Sequence, residues 1–504
     1  MVRKQIAEHT FLFLGIIKWV FWATLVGVVV GTGTSLFLEL LDWSISLGEN
    51  SGYLLFLLPA GLFLSSLIIK YLAPDAKGHG TEKVIEAVHK RYGKIKAIVI
   101  PVKLVATVIT LASGGSAGKE GPSAQIGAGL SSVMADIFRF GKLDRRKLVI
   151  CGISAGFAAV FGTPIAGAIF GVEVLFVGNI LYSVLLPSFI AGIVSYQIAI
   201  AMGIQYSYHP FDFTPVFSQS FFLEVILAGI FFGICSAILI ETMKYTDRLS
   251  SKIKIWEPLK GLIGGGVLVI IALIFSTKYL GLGLNTIDNV LVGENVEWYS
   301  FLVKTAATSI TLSFGGSGGV VTPIFFIGST AGAFYADVMG LNVATFAAIG
   351  LVAILSGSAN TPIAASIMSV ELFGPEIAPY ATLACVVSFL MTGSRSVYPS
   401  QILSINKSPA VTSQIGKDME HVETRFHPGS KRQMIKFLRL TKKVASVETY
   451  DIRRITRKKG RWKYLTKEGY MKSGNNSNLK GSEKGSGDKN SPDKDSSKNR
   501  KGLL

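Results

Sequence analysis

The sequence predicts an all-α, polytopic membrane protein made of two repeated halves with discontinuous and re-entrant helices. Three observations carry this. Apolar runs of membrane-spanning length recur along the 504 residues, only 16% of the side chains are charged, and two glycine- and proline-bearing segments each occur twice in register. With 49% hydrophobic residues and a mean hydropathy of +0.47, a soluble chain of this size would lack the polar surface to cover itself.

The clearest apolar runs are residues 11–37, 53–72, 181–203 and 221–240, with 262–275 and 380–391 extended by their flanks. Each is read as a helix able to cross a hydrocarbon core of about 30 Å. The first is not a cleaved leader, because it continues through Val28-Val-Val30 without an Ala-x-Ala-like site. Much of the glycine (54 residues) lies inside these runs, where small residues let helices approach closely; Gly27-x-x-x-Gly31 is one such spacing. Cys151, Cys235 and Cys385 have apolar neighbours and no CxxC spacing, so they read as small buried hydrophobes, with neither disulfide nor metal expected.

The formal charge of +18 is concentrated at the end of the chain. From residue 417 onward there are 24 Lys/Arg against 10 Asp/Glu, net +14. Positive charge favours the cytoplasmic face, so residues 411–504 are expected to form a basic cytoplasmic tail, disordered from about 473. A lipid-facing or solvated tail fits its composition, and no nucleic-acid motif accompanies it. Residues 1–10 are expected to be a cytoplasmic N-terminus and 11–410 the membrane domain, with halves at about 11–205 and 215–405.

The halves are visible in the chain itself. The stretch from Gly152 to Glu173 resembles that from Gly350 to Glu371: Thr-Pro-Ile-Ala recurs intact, and a glutamate follows the proline by nine residues in both. Upstream, Gly114-Gly-Ser-Ala-Gly-Lys-Glu-Gly-Pro122 pairs with Gly315-Gly-Ser-Gly-Gly-Val-Val-Thr-Pro323. The offsets, 198 and 201 residues, agree. Corresponding glycine-rich breaks inside apolar sequence point to discontinuous helices meeting at a transport site. Basic connectors flank the first break, with Lys90, Arg91, Lys94 and Lys96 before it and Lys142, Arg145, Arg146 and Lys147 after it. If both are cytoplasmic, the segment between them is a re-entrant hairpin.

Helices beginning at Lys119 and Val320 would aim unpaired N–H groups and a positive dipole end at the glycine-rich tips. Pro122 and Pro323 suit the first turn, where a missing N–H costs nothing. Gly78-His-Gly-Thr-Glu-Lys83 opens a third such helix. Three converging starts would bind a halide-sized anion without an isolated cation in the lipid core. Glu120 is the exception among them, an intramembrane carboxylate costing roughly 2.5–3.5 kcal/mol to insert, and therefore a functional candidate. It can occupy the anion's place as a tethered competitor and leave when protonated. Glu173 and Glu371, symmetric at the ends of equivalent helices, are read as structural hydrogen-bond acceptors.

These residues resemble the CLC family of chloride channels and chloride/proton antiporters over residues 10–405. Gly118-Lys-Glu-Gly-Pro122 is similar to the family's G-(K/R)-E-G-P motif, Gly78-His-Gly-Thr-Glu82 occupies the place of G-S-G-I-P, and Gly319-Val-Val-Thr-Pro323 that of G-x-F-x-P. Tyr398 falls where the family's anion-coordinating tyrosine follows the last membrane helix. The resemblance implies a homodimer of inverted repeats with a pore in each subunit. It makes Glu120 the gating, proton-handling residue and His79, Gly80, Lys119, Gly121, Val320, Val321, Thr322 and Tyr398 the anion site. The implied function is passage of chloride or a similar small anion, as a voltage-gated channel or a proton-coupled exchanger. The implied setting is a plasma membrane with both termini cytoplasmic.

Three positions depart from the commonest pattern. His79 stands where the coordinating serine usually sits. Val321 replaces an aromatic residue beside Thr322, and Val-Thr-Pro is similar to the family's fluoride-exporting branch, which makes a fluoride exporter the alternative expectation. Val174 stands where chloride-type antiporters carry an inner glutamate. The tail after Pro409 is too short and polar for the family's paired nucleotide-binding modules, so no cofactor is expected. An intramembrane serine hydrolase is the remote alternative, since G-x-S-x-G occurs three times. None of the six histidines lies in a clear span, however, and no enzyme is expected.

Overall fold

The computed structural model describes residues 2–49, 54–206, 208, 219–408, 411–426, 463–465 and 471–473. The chain divides into two units, residues 1–427 and 428–504. Of the second, the described part is one antiparallel pair, Lys463–Leu465 with Met471–Ser473; of the tail expected at 411–504, residues 411–426 are described in the first unit and the remainder lies outside the described residues.

The first unit is a mostly helical membrane protein, with sixteen α-helices among its described residues, eight in each half. In the first half α1 (Val2–Glu49), α2 (Leu54–Leu72), α3 (Thr81–Lys90) and α4 (Val99–Ala112) are followed by α5 (Glu120–Ile137), α6 (Lys142–Phe161), α7 (Pro164–Glu173) and α8 (Tyr182–Ala201). The second half repeats them in order as α9 (Gln219–Lys252), α10 (Glu257–Ile274), α11 (Leu284–Leu291), α12 (Ser300–Ser313), α13 (Val321–Met339), α14 (Val343–Ala359), α15 (Pro362–Phe373) and α16 (Ala378–Thr392). Helix α1 runs unbroken across residue 10; its 48 residues make it about 70 Å long. Short strand pairs are the departure from an all-helical chain. Phe176–Val177 joins Ile402–Leu403 in parallel, and Val411–Ser413 joins Thr424–Phe426 antiparallel.

Among the described residues, seven helices are long and apolar enough to cross a membrane. Others fall short: α7 has 10 residues, α15 has 12, and α4 and α12 have 14 each. At 1.5 Å per residue these cover half to two thirds of an apolar core, which is the physical content of the discontinuity expected from the glycine-rich breaks. Glycine packs the full-length helices together. A Cβ on Gly27 or Gly31 of α1 would lie 2.9 Å from a carbonyl oxygen of α8, at Ala191 and Ser195 respectively. The α5–α6 contact at Gly127 and Gly152 is repeated between α13 and α14 at Gly328 and Gly350, each Cβ position within 2.5 Å of the partner carbonyl.

The halves are interlocked. Tip residues Gly118 and Gly319 pair antiparallel, with Gly118 N–H donating to Gly319 O at 2.8 Å and the reverse bond also made. Ser116 meets Thr308 of α12, and Ser317 meets Thr107 of α4, both at 3.0 Å. The Ser116 amide donates to Thr311 and that of Ser317 to Thr110. The first tip reaches the connector before α11 (Gly281 N–H to Gly114 O, 3.2 Å), while a Cβ on Gly315 would touch Ser66 of α2. Each hairpin therefore points into the opposite half, as inverted topology requires. Lys142 lies 5.5 Å from the Tyr92 ring, so the two basic connectors share one side and α4–α5 is re-entrant. Cys151, Cys235 and Cys385 are all free and buried.

Candidate functional site

Three helix starts meet around Glu120. The N-caps are Gly80 for α3, Lys119 for α5 and Val320 for α13, within one residue of the starts expected from sequence. Pro122 and Pro323 sit in the first turns, where the ring costs no hydrogen bond. The contact between α3 and α5 admits no side chain at its centre. A Cβ on Gly121 would stand 2.1 Å from His79 O, and one on Gly80 2.3 Å from Gly121 O. Gly80 also has φ +73°, a conformation glycine adopts at no steric cost. First-turn amides have no intrahelical acceptor, so these starts present N–H groups and the positive ends of three dipoles to one small volume.

Glu120 is fully buried at the first position of α5 and reaches across to the second half. Thr322 N–H donates to its Oε2 at 3.1 Å, and the Thr322 hydroxyl donates to Oε1. The carboxylate thus occupies donors from the opposite repeat, as a bound anion would. Val320 and Val321 are buried beside Thr322, and Lys119 is half-buried. Tyr398 is fully buried after α16, its ring 5.5 Å from that of His79. Two polar atoms here have no hydrogen-bond partner, Tyr398 Oη and His79 Nδ1; Thr81 is close to the tyrosine but outside hydrogen-bonding geometry. Buried unpartnered polar atoms are costly unless a ligand supplies the partner. His79 therefore turns toward Tyr398 rather than into open water.

Glu173 and Glu371 form a reciprocal pair away from this volume. Glu173, near the end of α7, accepts from Ile363 and Ala364 at the start of α15, at 3.1 and 2.8 Å. Glu371 accepts from Ile165 and Ala166 at the start of α7, at 2.9 and 2.8 Å. Each carboxylate caps the other's helix.

Two lysines escaped the sequence reading. Lys103 of α4 is buried and donates to Gly78 O at 2.5 Å and Ala76 O at 3.2 Å, fixing the loop that opens α3. Lys304 of α12 does the same for Gly281 O (2.8 Å) and Tyr279 O (3.2 Å) before α11. The signal was present, because Val102-Lys-Leu-Val-Ala-Thr107 and Val303-Lys-Thr-Ala-Ala-Thr308 repeat Val-Lys-x-x-Ala-Thr at the 201-residue offset. The serines of the three G-x-S-x-G matches are bonded to Thr308, Ala168 O and Thr107, not to a histidine. Among the described residues no cluster of His, Cys, Asp or Glu is arranged to hold a metal.

A family model described as voltage gated chloride channel matches residues 61–393. A chloride/fluoride channel protein of Pseudomonas syringae pv. tomato is 34% identical over 401 residues, covering 78% of this chain and 88% of that protein. A voltage-gated ClC-type chloride channel of Escherichia coli O81 is 27% identical over 320 residues, covering 60% and 74%. Among solved structures, a CLC-type fluoride/proton antiporter superposes with a TM-score of 0.74 at 26% identity, covering 78% of this chain and 99% of its own. A slow cyanobacterial Cl−/H+ antiporter, at 19% identity and a TM-score of 0.66 over 74% and 94%, shares the fold.

Proposed function

This chain belongs to the CLC family of anion channels and transporters, and from that premise we propose that it exports fluoride in exchange for protons, with Glu120 as the protonatable gate. The single observation that carries the reading is the hold of Thr322 on Glu120 through both its amide and its hydroxyl. A carboxylate seated on the anion's donors leaves when protonated, so proton entry and anion entry alternate at one place. Fluoride is small and strongly hydrated, and compact N–H and O–H donors are the groups that replace its water best. The Val-Thr-Pro sequence around Thr322 and the relatives named for fluoride support this over the chloride-first expectation. His79, Gly80, Lys119, Gly121, Val320, Val321 and Tyr398 complete the anion's surroundings. The reading extends to a homodimer in the plasma membrane with the basic termini cytoplasmic.

One observation favours a passive channel instead: Val174 after Glu173 is buried and apolar, leaving no carboxylate at that place. Flux from proteoliposomes separates the two. An imposed pH gradient should drive fluoride uphill, with chloride slower by about tenfold, a discrimination of about 1.4 kcal/mol. Glu120→Gln should pass anion without coupling or pH dependence. Downhill fluoride flux that ignores the proton gradient in the wild type would decide for the channel, and equal chloride flux would remove the selectivity.

A further inference from the structure

Helix α3 carries more than the start that faces Gly121. Glu82, Glu86 and His89 lie on it at i, i+4 and i+7, one polar stripe leading from the site to the basic connector that begins at Lys90. Glu82 is in the first turn. Its Oε1 accepts from the Ser400 amide at 3.0 Å and from the Ser400 hydroxyl, which ties α3 to the turn bearing Tyr398. Its Oε2 is buried and has no partner. With His79 Nδ1 and Tyr398 Oη, that makes three orphaned polar atoms around the α3 start. Tyr398 is within electrostatic reach of both Glu82 and Glu120.

The charged groups around Glu82 leave it without a cation of its own. On α3, Lys83 is engaged by Glu86 at 3.0 Å, and Glu86, 26% exposed, also holds Lys90 at 3.4 Å. His89 bonds Leu175 O at 2.9 Å. From α4, Lys103 is spent on Gly78 and Ala76 carbonyls. From α5 comes Glu120, a like charge. The segment packed over the Tyr398–Gln401 turn brings Lys417, Asp418 and Glu420, whose amide bonds Pro399 O. Ser400 takes one carboxylate oxygen of Glu82 with both its amide and its hydroxyl, and no protein group takes the other. The second oxygen, buried and unpaired by any protein group, is costlier while charged than when a proton neutralises it.

We propose that Glu82 is the inner proton acceptor of the transport cycle. It takes protons from the connector side by way of Glu86 and passes them toward Glu120 past Tyr398 and His79. This rests on the exchanger reading above. One proton leaves solution and neutralises Glu82; it is handed on as Glu120 releases Thr322, and Glu82 returns to the carboxylate. No net proton is gained or lost by the protein in a full turn. The missing inner carboxylate at Val174 is thereby supplied from another helix, on the same side of the site as the connector.

The test is Glu82→Gln, which keeps an oxygen for Ser400 and removes the titration. Fluoride and proton fluxes are measured together in proteoliposomes. The proton-to-fluoride ratio should fall by about a hundredfold, the lower end of what a lost proton-transfer group costs, whereas a purely structural role would lower both fluxes in proportion. Glu86→Gln should slow proton flux less. An unchanged ratio in Glu82→Gln, with wild-type coupling intact, overturns the inference and leaves the exchanger reading standing. If the wild type shows no coupling, the exchanger reading itself fails. Infrared difference spectra then decide for Glu82: a carboxylic-acid band that titrates with pH and vanishes in Glu82→Gln but persists in Glu120→Gln supports it, and absence of that band overturns it.

Discussion

Truncating Glu173 to alanine removes an acceptor for two amides at the start of α15, at 3.1 and 2.8 Å. A hydrogen bond to a charged group contributes about 1.5–3 kcal/mol, and an anion in a helix's first turn about 0.3–1 kcal/mol more. The two bonds share one carboxylate and do not add fully, so the expected loss is about 3–4 kcal/mol. Glu371 makes matching bonds at 2.9 and 2.8 Å, but it is half-buried whereas Glu173 is 5% exposed. Water can replace part of what Glu371→Ala removes, and the cost should be about half. Scaling the unfolding entropy to roughly 400 residues gives about 0.8 kcal/mol per kelvin, hence shifts of about 4–5 °C and 2 °C. Because Cys151, Cys235 and Cys385 are all buried, a thiol-reactive fluorophore reports the melting directly in detergent. Two variants melting together with wild type, or Glu371→Ala melting lower than Glu173→Ala, would refute the capping argument.

Further outcomes follow from the site. Gly121→Ala places a methyl 2.1 Å from His79 O, so α3 and α5 must part; fluoride binding, read by calorimetry, should weaken by about tenfold or more. Lys103→Met frees the Gly78 and Ala76 carbonyls that set the α3 start, and Lys304→Met does the same before α11. The first should weaken anion binding about tenfold, and the second should lower thermal stability with binding largely kept.

Much of this fold is readable as repetition. The glycine-rich tips, the Thr-Pro-Ile-Ala helices and the paired glutamates all recur at offsets of 198 or 201 residues. That spacing located two of the three helix starts and the symmetric roles of Glu173 and Glu371. What it could not show is which copy bonds to which. Ser116 is held by Thr308 and not by Thr107, a choice made by the inversion of one half against the other. Lys103 and Lys304 were overlooked because a lysine in an apolar stretch reads as a span end until the carbonyls it holds are seen. The bond from Glu82 to Ser400 joins positions 318 apart and leaves no local signature. At the α3 start, Glu82 stands where the resemblance leads one to expect proline, and sequence alone marked it as merely part of an amphipathic stretch.

The reciprocal carboxylates have a consequence for synthesis. Glu173 is made 190 residues before Ile363, whose amide it accepts. At about 5–20 residues per second, roughly 10–40 s of translation separate them. Through that interval the nascent first half sits in the bilayer with a buried acid, one serine-bearing tip and a short helix start all lacking their partners. The insertion machinery or lipid headgroups must shelter these groups until the complement emerges. A ribosome halted in that window leaves a membrane-bound product that no local rearrangement can complete, whereas two polypeptides divided between residues 206 and 219 and made together should find each other and assemble.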